Sequence, residues 1–491
     1  MSPVPEMTVG TLADRLDGCL RGRADAPVGG VSHDSRMVRS GDVFVAMKGA
    51  NADGHDFVAE ALARGAAAVI CERPLESPAP QIVVGNGRVA LARAAAEVYG
   101  HPSRFLRLVG VTGTNGKTTV VHMIESVARA AGESTGVIGT LGARIGDRVL
   151  ATPLTTPEAS DLHRQLAMMR SRGVETAVIE VSSHGLALHR VDCVRFDLAV
   201  FTNLGHDHLD FHGSQEEYYL SKAQLFSPVL AETGVVWIDD PWGRRLAAGA
   251  EIPLTTVGTR PEADVRGQMV SQTLSEVVMK CRVGGATLTL EAPIGGRHNG
   301  RNALLAAAAT LRMGYSPAEV STGISSLPPV AGRFELVAEH PLSVVVDYAH
   351  TPGAIGAAIG AARAATEGRV IAVMGAGGDR DRSKRIEMAR AVAAADRVML
   401  TSDNPRSEDP AAILADLAAG LEGRGFRVEA DREEAIGAAV GWARPGDVVL
   451  ILGKGHEQHQ EIAGERIPFD DRRAARKALG VADGDSWEAA P

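Results

Sequence analysis

Short apolar runs alternate with Ala-rich segments of helical periodicity along most of the chain. The runs that predict buried strands lie at residues 43–47, 66–70, 82–84, 105–111, 176–181, 198–201, 235–238, 343–346, 370–374, 397–401 and 447–452. Because strands and helices alternate, the pattern favours mostly parallel sheets covered by helices. Residues 276–290 instead alternate apolar and polar positions, which predicts an antiparallel hairpin attached to one of these sheets.

Two breaks divide this pattern into three units. A helical pattern over residues 89–99 ends at Gly100, and Pro102 follows, which is a strong helix stop. Pro328 and Pro329 make the second break. We therefore predict an α/β protein of three domains. These are a small N-terminal α/β domain at 1–104, a central domain with a parallel sheet at 105–329, and a doubly wound, Rossmann-like C-terminal domain at 330–491.

The composition excludes several classes of protein. The 491 residues carry a net charge of -9 and no Lys/Arg-rich run, whereas a nucleic-acid-binding protein usually shows a basic patch. The four cysteines are far apart, without the paired spacing of a zinc ribbon or a disulfide framework. The N-terminal sequence lacks the apolar stretch of a signal peptide, and no apolar run reaches the ~18 residues of a membrane span. We expect a cytoplasmic monomer that acts on small molecules.

The strongest local signal is a glycine-rich loop between a predicted strand and a predicted helix. Residues 110–119 read GVTGTNGKTT, and the glycines let backbone N–H groups converge on phosphate oxygens. The helix that begins near Lys117 adds its positive N-terminal end, and the Lys117 side chain can reach the terminal phosphates. Val111 stands where the general P-loop motif has its first glycine. The nucleotide-binding residues predicted from this loop are Gly113, Thr114, Asn115, Gly116, Lys117, Thr118 and Thr119.

The variant GTNGKT at 113–118 resembles the ATP loop of the Mur ligases and of their relative folylpolyglutamate synthase. Two later segments, EVSSHGL at 180–186 and TNLGHDHLDFHG at 202–213, are also similar to Mur ligases, and the resemblance extends nearly end to end. It implies an ATP-dependent, amide-forming ligase. It further implies Lys117, Glu180, His208 and Lys222 as catalytic residues. The Mg²⁺ ligands implied are Thr118, Glu180, His208 and Lys222, the last after carbamylation.

Taken alone, some of these residues allow other interpretations. His206, His208 and His212 are spaced closely enough to suggest a zinc site, or a polar loop that caps the following helix. Lys222 on its own is an ordinary helix lysine, and such side chains are most often solvated.

The resemblance also assigns residues around ATP and the uridine-nucleotide substrate. For ATP it adds Asn299, Arg333 and Asp347, whereas Gly353 stands where the family has an acidic residue. The residues implied to bind UDP-MurNAc-L-Ala-D-Glu are Ser35, Thr155, Thr156, Ser182 and Arg190. Residues 155–158 are equally typical of a helix start with a threonine cap and Pro157 in the first turn, and Asn299 of a helix N-cap.

A tetrapeptide in the C-terminal domain indicates the amino acid that is added. Asp403-Asn404-Pro405-Arg406 resembles the motif of the diaminopimelate-adding Mur ligases. Further matches to their pocket are Arg380, Gly453 and Glu457. meso-Diaminopimelate carries a second carboxylate, which an arginine can bind through two parallel hydrogen bonds. Without the resemblance, Asp-Asn-Pro-Arg is simply a turn sequence.

The resemblance thus implies a ligase of peptidoglycan precursor synthesis. It would use ATP to phosphorylate the D-Glu side-chain carboxylate of UDP-MurNAc-L-Ala-D-Glu and couple the acyl phosphate to meso-diaminopimelate. Within the family, the alternatives are folylpolyglutamate synthase and the ligase that adds D-Ala-D-Ala, and residues 403–406 argue against both. Outside it, a regulatory ATPase or a nucleotide-binding scaffold would have little need for Arg380, Arg406 and Glu457.

Overall fold

Three β-sheets of five or more strands, each packed against helices, follow one another along the chain. The computed structural model describes residues 7–49, 52–146, 148–340 and 342–480. In these ranges, no helix has the length and apolar character needed to cross a membrane. The α/β fold class with three successive domains is confirmed.

The first sheet is small. It has the strand order β1-β5-β4-β3-β2, and only β1 runs antiparallel to its neighbour. The strands are β1 (Cys19–Arg21), β2 (Gly30–Ser32), β3 (Asp42–Ala46), β4 (Ala68–Cys71) and β5 (Gln81–Val83), and the helices are α1 (Val9–Arg15), α2 (Val58–Ala63) and α3 (Gly87–Val98).

The second sheet has eleven strands in the order β16-β15-β14-β13-β12-β11-β6-β10-β7-β8-β9. The strands are β6 (Arg107–Thr112), β7 (Thr135–Gly139), β8 (Gly142–Ile145), β9 (Arg148–Leu150), β10 (Thr176–Glu180), β11 (Phe196–Phe201), β12 (Ala231–Trp237), β13 (Leu254–Gly258), β14 (Val265–Gln272), β15 (Val277–Val283) and β16 (Ala286–Ala292). The helices are α4 (Lys117–Ala130), α5 (Ala159–Ser171), α6 (Ser183–Ala187), α7 (Leu209–His212), α8 (Gln215–Ala223), α9 (Pro241–Gly249), α10 (Arg297–Arg312) and α11 (Pro317–Ser325). Strand β6 lies within the parallel part, between β11 and β10, so the glycine-rich loop opens at its carboxyl edge.

The third sheet is doubly wound, as predicted. Its strand order is β17-β18-β22-β19-β20-β21, and every neighbour pair except β17 with β18 is parallel. The strands are β17 (Glu335–Ala338), β18 (Ser343–Asp347), β19 (Val370–Met374), β20 (Arg397–Leu400), β21 (Phe426–Val428) and β22 (Val448–Leu452), followed by the hairpin β23 (His459–Ile462) and β24 (Glu465–Pro468). The helices are α12 (Pro352–Ala365), α13 (Lys384–Val392), α14 (Pro410–Ala419), α15 (Arg432–Trp442) and α16 (Asp471–Ala478).

Alternation along the central strands explains why helices cover both faces of the third sheet. Val345 points into the core beneath α12, α13 and α14, whereas Val344 and Val346 point into the core beneath α15 and α16. Successive residues of a strand face opposite sides, so a strand that is apolar at every position must be buried on both faces.

Two details of the central domain differ from the sequence prediction. The hairpin is confirmed as β15 and β16, but β14 also pairs with β15 and joins both strands to the main sheet through β13. The helix expected to start at Thr155 or Thr156 begins at Ala159 with Glu158 as its N-cap, so Pro157 does not lie in its first turn. The Thr156 hydroxyl instead donates to the Glu180 carbonyl, 2.8 Å away.

Candidate active site

The glycine-rich loop joins β6 to α4 and is held by a neighbouring strand end. Gly113 and Gly116 have φ angles of 143° and 90°, which L-residues other than glycine rarely adopt. The Thr202 hydroxyl and the Asn203 amide, after β11, donate to the Asn115 carbonyl at 2.6 and 2.8 Å. These contacts fix a backbone conformation that the local sequence alone would not hold.

Two lysines converge on this loop. Lys117 and Lys222 each place Nζ 2.9 Å from the Gly113 carbonyl oxygen. Lys222 is only 1% exposed, and in the described ranges no carboxylate lies within ion-pair distance of it. Burial lowers the pKa of Lys117, and burial together with the Lys117 charge lowers the pKa of Lys222 well below its ordinary value. Buried positive charge without a counter-ion is costly, so this site favours an anionic ligand.

Glu180 ends β10 beside the loop. Its carboxylate is buried and accepts hydrogen bonds from the backbone N–H and the hydroxyl of Thr140, at 2.9 and 3.1 Å. The Thr118 hydroxyl at the start of α4 supplies another oxygen donor. These groups are hard oxygen ligands of the kind Mg²⁺ prefers, and they lie beside a loop suited to phosphate. The donor chemistry of Thr118 and Glu180 therefore fits Mg²⁺.

The histidines of residues 206–212 do not form the zinc site suggested by their spacing. His206 pairs with Glu387 at 3.0 Å and Asp381 at 3.4 Å, whereas His208 lies 3.5 Å from Asp207. Across the described ranges, no three His, Cys, Asp or Glu side chains are grouped to hold a metal ion. Burial lowers the pKa of His208 to about 3, so its imidazole is neutral at neutral pH.

The third domain reaches directly onto the phosphate loop. Arg333 donates to the Thr118 hydroxyl at 2.9 Å, and the Thr351 hydroxyl lies 3.4 Å from the Asn115 side chain. Asp347 accepts a hydrogen bond from the Phe334 backbone N–H at 2.5 Å, and burial raises the pKa of its carboxyl group. Of the two predicted residues, Arg333 thus lies at the junction of the second and third domains, and Asp347 holds the backbone of the residue that follows Arg333.

Sequence reasoning missed a second interdomain contact. The buried Asp207 carboxylate lies 3.0 Å from Lys384 Nζ and 3.7 Å from His350 Nε2, both in the third domain. Burial alone would raise the pKa of Asp207, but the neighbouring histidines His208 and His350 and the Lys384 ammonium hold it well below its usual range. In the sequence, the only local sign that Asp207 has a special role is its position between two histidines, His206 and His208.

Four of the five residues expected to bind the uridine nucleotide lie together near Glu180. The Thr155 hydroxyl is 3.2 Å from that of Thr140, and the Thr156 hydroxyl is 3.1 Å from that of Ser182. Arg190 donates to the Thr156 carbonyl at 3.2 Å and to Glu158 at 3.0 Å. The fifth, Ser35, lies in the first domain, where its buried hydroxyl donates to Glu60 at 2.8 Å.

A cavity of about 500 Å³ lies between α10 and α12, with Trp237, His298 and Arg301 in its wall. Burial lowers the pKa of His298 to about 4, so it is neutral at neutral pH. Asn299 is not the helix N-cap, since that residue is Gly296. Its side chain accepts from Asn302 at 2.9 Å, and a Cβ atom on Gly116 would lie 2.5 Å from the Asn302 side-chain oxygen. The asparagines therefore connect the cavity wall to the phosphate loop.

The residues expected to recognise the amino acid meet at the carboxyl edge of the third sheet. Asn404 donates to Glu457 at 2.7 Å, and the buried Lys454 ammonium donates to both side chains at 2.9 Å. Gly453 has a φ of 115°, and a Cβ atom there would overlap the Asp403 carboxylate. Pro405 and Arg406 complete this loop.

Known proteins resemble the chain throughout its length. Three family models match: "Mur ligase family, catalytic domain" at 27–102, "Mur ligase middle domain" at 111–310 and "Mur ligase, glutamate ligase domain" at 332–455. The UDP-N-acetylmuramoyl-L-alanyl-D-glutamate–2,6-diaminopimelate ligase of Streptomyces coelicolor is 45% identical over 489 residues, covering 96% of each chain.

Solved structures show the same architecture. A UDP-N-acetylmuramoyl-L-alanyl-D-glutamate–2,6-diaminopimelate ligase matches with a TM-score of 0.68 and 32% identity, covering 96% of this chain and 99% of its own. The MurF ligase of Thermotoga maritima in complex with ADP shares the fold, with a TM-score of 0.65, 21% identity, and coverage of 92% and 96%.

Proposed function

The chain belongs to the Mur ligase family, and on that premise we propose that it joins meso-2,6-diaminopimelate to the D-Glu side-chain carboxylate of UDP-MurNAc-L-Ala-D-Glu. ATP drives the reaction and yields ADP and phosphate. The choice of amino acid rests on the loop from Asp403 to Arg406. In this loop the Arg406 guanidinium donates a hydrogen bond to the Gly378 carbonyl, which brings Arg406 close to Arg380. We also propose that the protein is a cytoplasmic monomer and that its product is a peptidoglycan precursor. Its domain boundaries would lie near residues 104 and 329.

The first chemical step brings two anions together. A D-Glu carboxylate oxygen forms a bond to the γ-phosphorus of ATP, and the bond between that phosphorus and ADP breaks. Lys117, Arg333 and the N-terminus of α4 surround the loop with positive charge, which offsets the repulsion between carboxylate and phosphate. Thr155, Thr156, Ser182 and Arg190 lie near Glu180, so we assign them to the substrate end that carries the carboxylate. Ser35 in the first domain would contact the uridine end.

The second step forms the amide. The diaminopimelate amine attacks the acyl carbon, the nitrogen loses a proton, and phosphate departs with the electrons of the carbon–oxygen bond. Water would hydrolyse the acyl phosphate if it could reach it. The contacts of Arg333 and Thr351 with the phosphate loop hold the third domain over the site, and we expect this closure to exclude water.

Mg²⁺ would be held by Thr118, Glu180, His208 and carbamylated Lys222. When bound, the ion would neutralise charge between the phosphates and the carboxylate. Carbamylation is supported by the burial of Lys222 and its proximity to Lys117, because both lower the pKa of the amine and so favour the unprotonated form that reacts with CO₂. That amine forms a bond to the carbon of CO₂ and releases a proton. The product is an anion beside the Lys117 ammonium.

The cavity beside Asn299 supports placing the adenine there. Its wall combines the Trp237 and His298 rings with small alanine side chains, and Asn302 connects it to the phosphate loop. In the amino-acid pocket, Arg380 and Arg406 would bind the distal carboxylate of diaminopimelate. The partly exposed Glu457 carboxylate would bind the distal ammonium group.

Substituting Arg406→Lys tests this assignment. The wild-type protein with ATP and UDP-MurNAc-L-Ala-D-Glu should yield a product heavier by one diaminopimelate residue, as measured by mass spectrometry. Because lysine cannot reproduce a two-pronged contact, the variant should raise the KM for meso-diaminopimelate about 10- to 100-fold. Arg424→Lys, an exposed change in the same domain, is the matched control and should leave KM unaltered. An unaltered KM in Arg406→Lys would remove Arg406 from the pocket, and a wild-type protein that extends its substrate with lysine would refute the choice of amino acid.

A further inference from the structure

The two arginines assigned to the distal carboxylate lie on different loops that meet over one glycine. Arg380 follows β19 and Arg406 follows β20, and these strands are parallel neighbours. A Cβ atom on Gly377 would lie 3.0 Å from Arg406 Nη1 and 3.8 Å from Arg380 Cγ. The two side chains therefore flank the same small space, and their relative position depends on how the two loops are held together.

A buried ion pair between Arg385 and Glu408 joins the loop after β19 to the loop after β20. Glu408 on the second loop accepts a hydrogen bond from the Asp379 backbone N–H at 2.6 Å, one residue before Arg380. The same carboxylate oxygen accepts from Arg385 at 2.8 Å, and Arg385 also donates to the Gly377 carbonyl at 3.3 Å. The side chains of Arg385 and Glu408 are 2% and 9% exposed, so a substrate would not contact them readily.

The backbone that this pair supports is in an uncommon conformation. Asp379 and Arg406 have φ angles of 51° and 55°, and such left-handed non-glycine residues persist only where their surroundings hold them. Asp379 accepts from the Ser407 hydroxyl at 2.7 Å, and Arg406 donates to the Gly378 carbonyl at 2.6 Å. The loop after β20 thus contacts Asp379, and the loop after β19 contacts Arg406. Glu408 lies where the two loops meet.

We propose that Glu408, fixed by Arg385, is a positioning residue for amino-acid selectivity. It sets the separation of Arg380 and Arg406 so that both guanidiniums meet one carboxylate, without touching the substrate itself. This inference rests on the proposed function, because it requires the distal carboxylate of diaminopimelate as the group bound. A ligand without that carboxylate, such as L-lysine, gains nothing from the same separation.

Glu408→Gln tests the inference in the full-length protein, because it retains the shape and removes the charge. The KM for meso-diaminopimelate should rise about tenfold or more, and the preference for it over L-lysine in kcat/KM should fall by a similar factor. The KM values for ATP and UDP-MurNAc-L-Ala-D-Glu should stay at wild-type levels. Glu408→Asp, which keeps the carboxylate, should recover part of the selectivity.

Asp447→Asn is the matched control, because Asp447 is a buried carboxylate that pairs with an arginine, Arg369, elsewhere in the same domain. It should lower the melting temperature and leave selectivity unaltered. Equal changes in selectivity for both variants, or a wild-type KM in Glu408→Gln, would overturn the inference. If Glu408→Gln does not fold, Gly377→Ala takes its place. Its Cβ atom would lie 3.0 Å from Arg406 Nη1 and shift the guanidinium by a few tenths of an ångström, and selectivity that is then fully retained would overturn the inference. Absence of wild-type turnover with diaminopimelate would be a failure of the proposed function, recognisable before any variant is made.

Discussion

Replacing Lys117 by alanine is expected to lower kcat for amide formation on the order of a hundred- to a thousandfold. The Lys117 ammonium lies 2.9 and 3.0 Å from the Gly113 and Thr114 carbonyls, at the mouth of the phosphate loop. Negative charge develops on the oxygen between the β- and γ-phosphates in the transition state, so loss of this cation should affect kcat more than the KM for the amino acid. Phosphate release and product mass would be measured together.

Lys477→Ala is the matched control for this substitution. Lys477 is an exposed lysine of α16 that pairs with Glu433, and its loss should leave turnover at the wild-type rate. Wild-type turnover in Lys117→Ala would mean that the glycine-rich loop does not bind the reacting phosphates. That result would contradict the assignment of the site.

Lys222→Ala should produce a loss of similar size for a different reason. The variant removes the amine that we propose becomes a carbamate, and with it one oxygen ligand of the proposed Mg²⁺ site. A small carboxylate such as acetate should therefore restore part of the activity, because it supplies the same type of oxygen in the vacated space. Labelled bicarbonate should give a carbamate signal in the NMR spectrum of the wild-type protein and none in the variant.

Lys280→Ala, at an exposed position of the hairpin strand β15, is the control for acetate and should show neither loss nor rescue. If Lys222→Ala loses activity but acetate has no effect at any concentration, and the wild-type spectrum lacks the carbamate signal, Lys222 acts as an ammonium. The Mg²⁺ assignment would then lose that ligand.

Features encoded by contiguous residues could be predicted from the sequence. The strand, the glycine-rich loop and the helix that begins at Lys117 form one uninterrupted segment, and the structure has them as expected. The third sheet could be predicted equally well, because strands buried on both faces are apolar at nearly every position.

Features that depend on distant partners could not be predicted in this way. The start of α5 was misplaced because the Thr156 hydroxyl bonds to the end of β10 rather than capping the helix. Asp207 and Lys384 are 177 residues apart, and only the packing of two domains brings them to 3.0 Å. Glu408 and Arg385 carry no recognisable motif, since their role comes from joining two loops that the sheet places side by side.

Phosphate release from ATP, with UDP-MurNAc-L-Ala-D-Glu present and the amino acid varied, tests the central claim most directly. The acceptors would be meso-diaminopimelate, L-lysine, D-Ala-D-Ala and none. Of these four conditions, we predict sustained phosphate release only with meso-diaminopimelate. The product should then be heavier by the mass of one diaminopimelate residue. Release with L-lysine would preserve the family but contradict the role of Arg406, and equal release without an acceptor would contradict the coupling of ATP cleavage to amide formation.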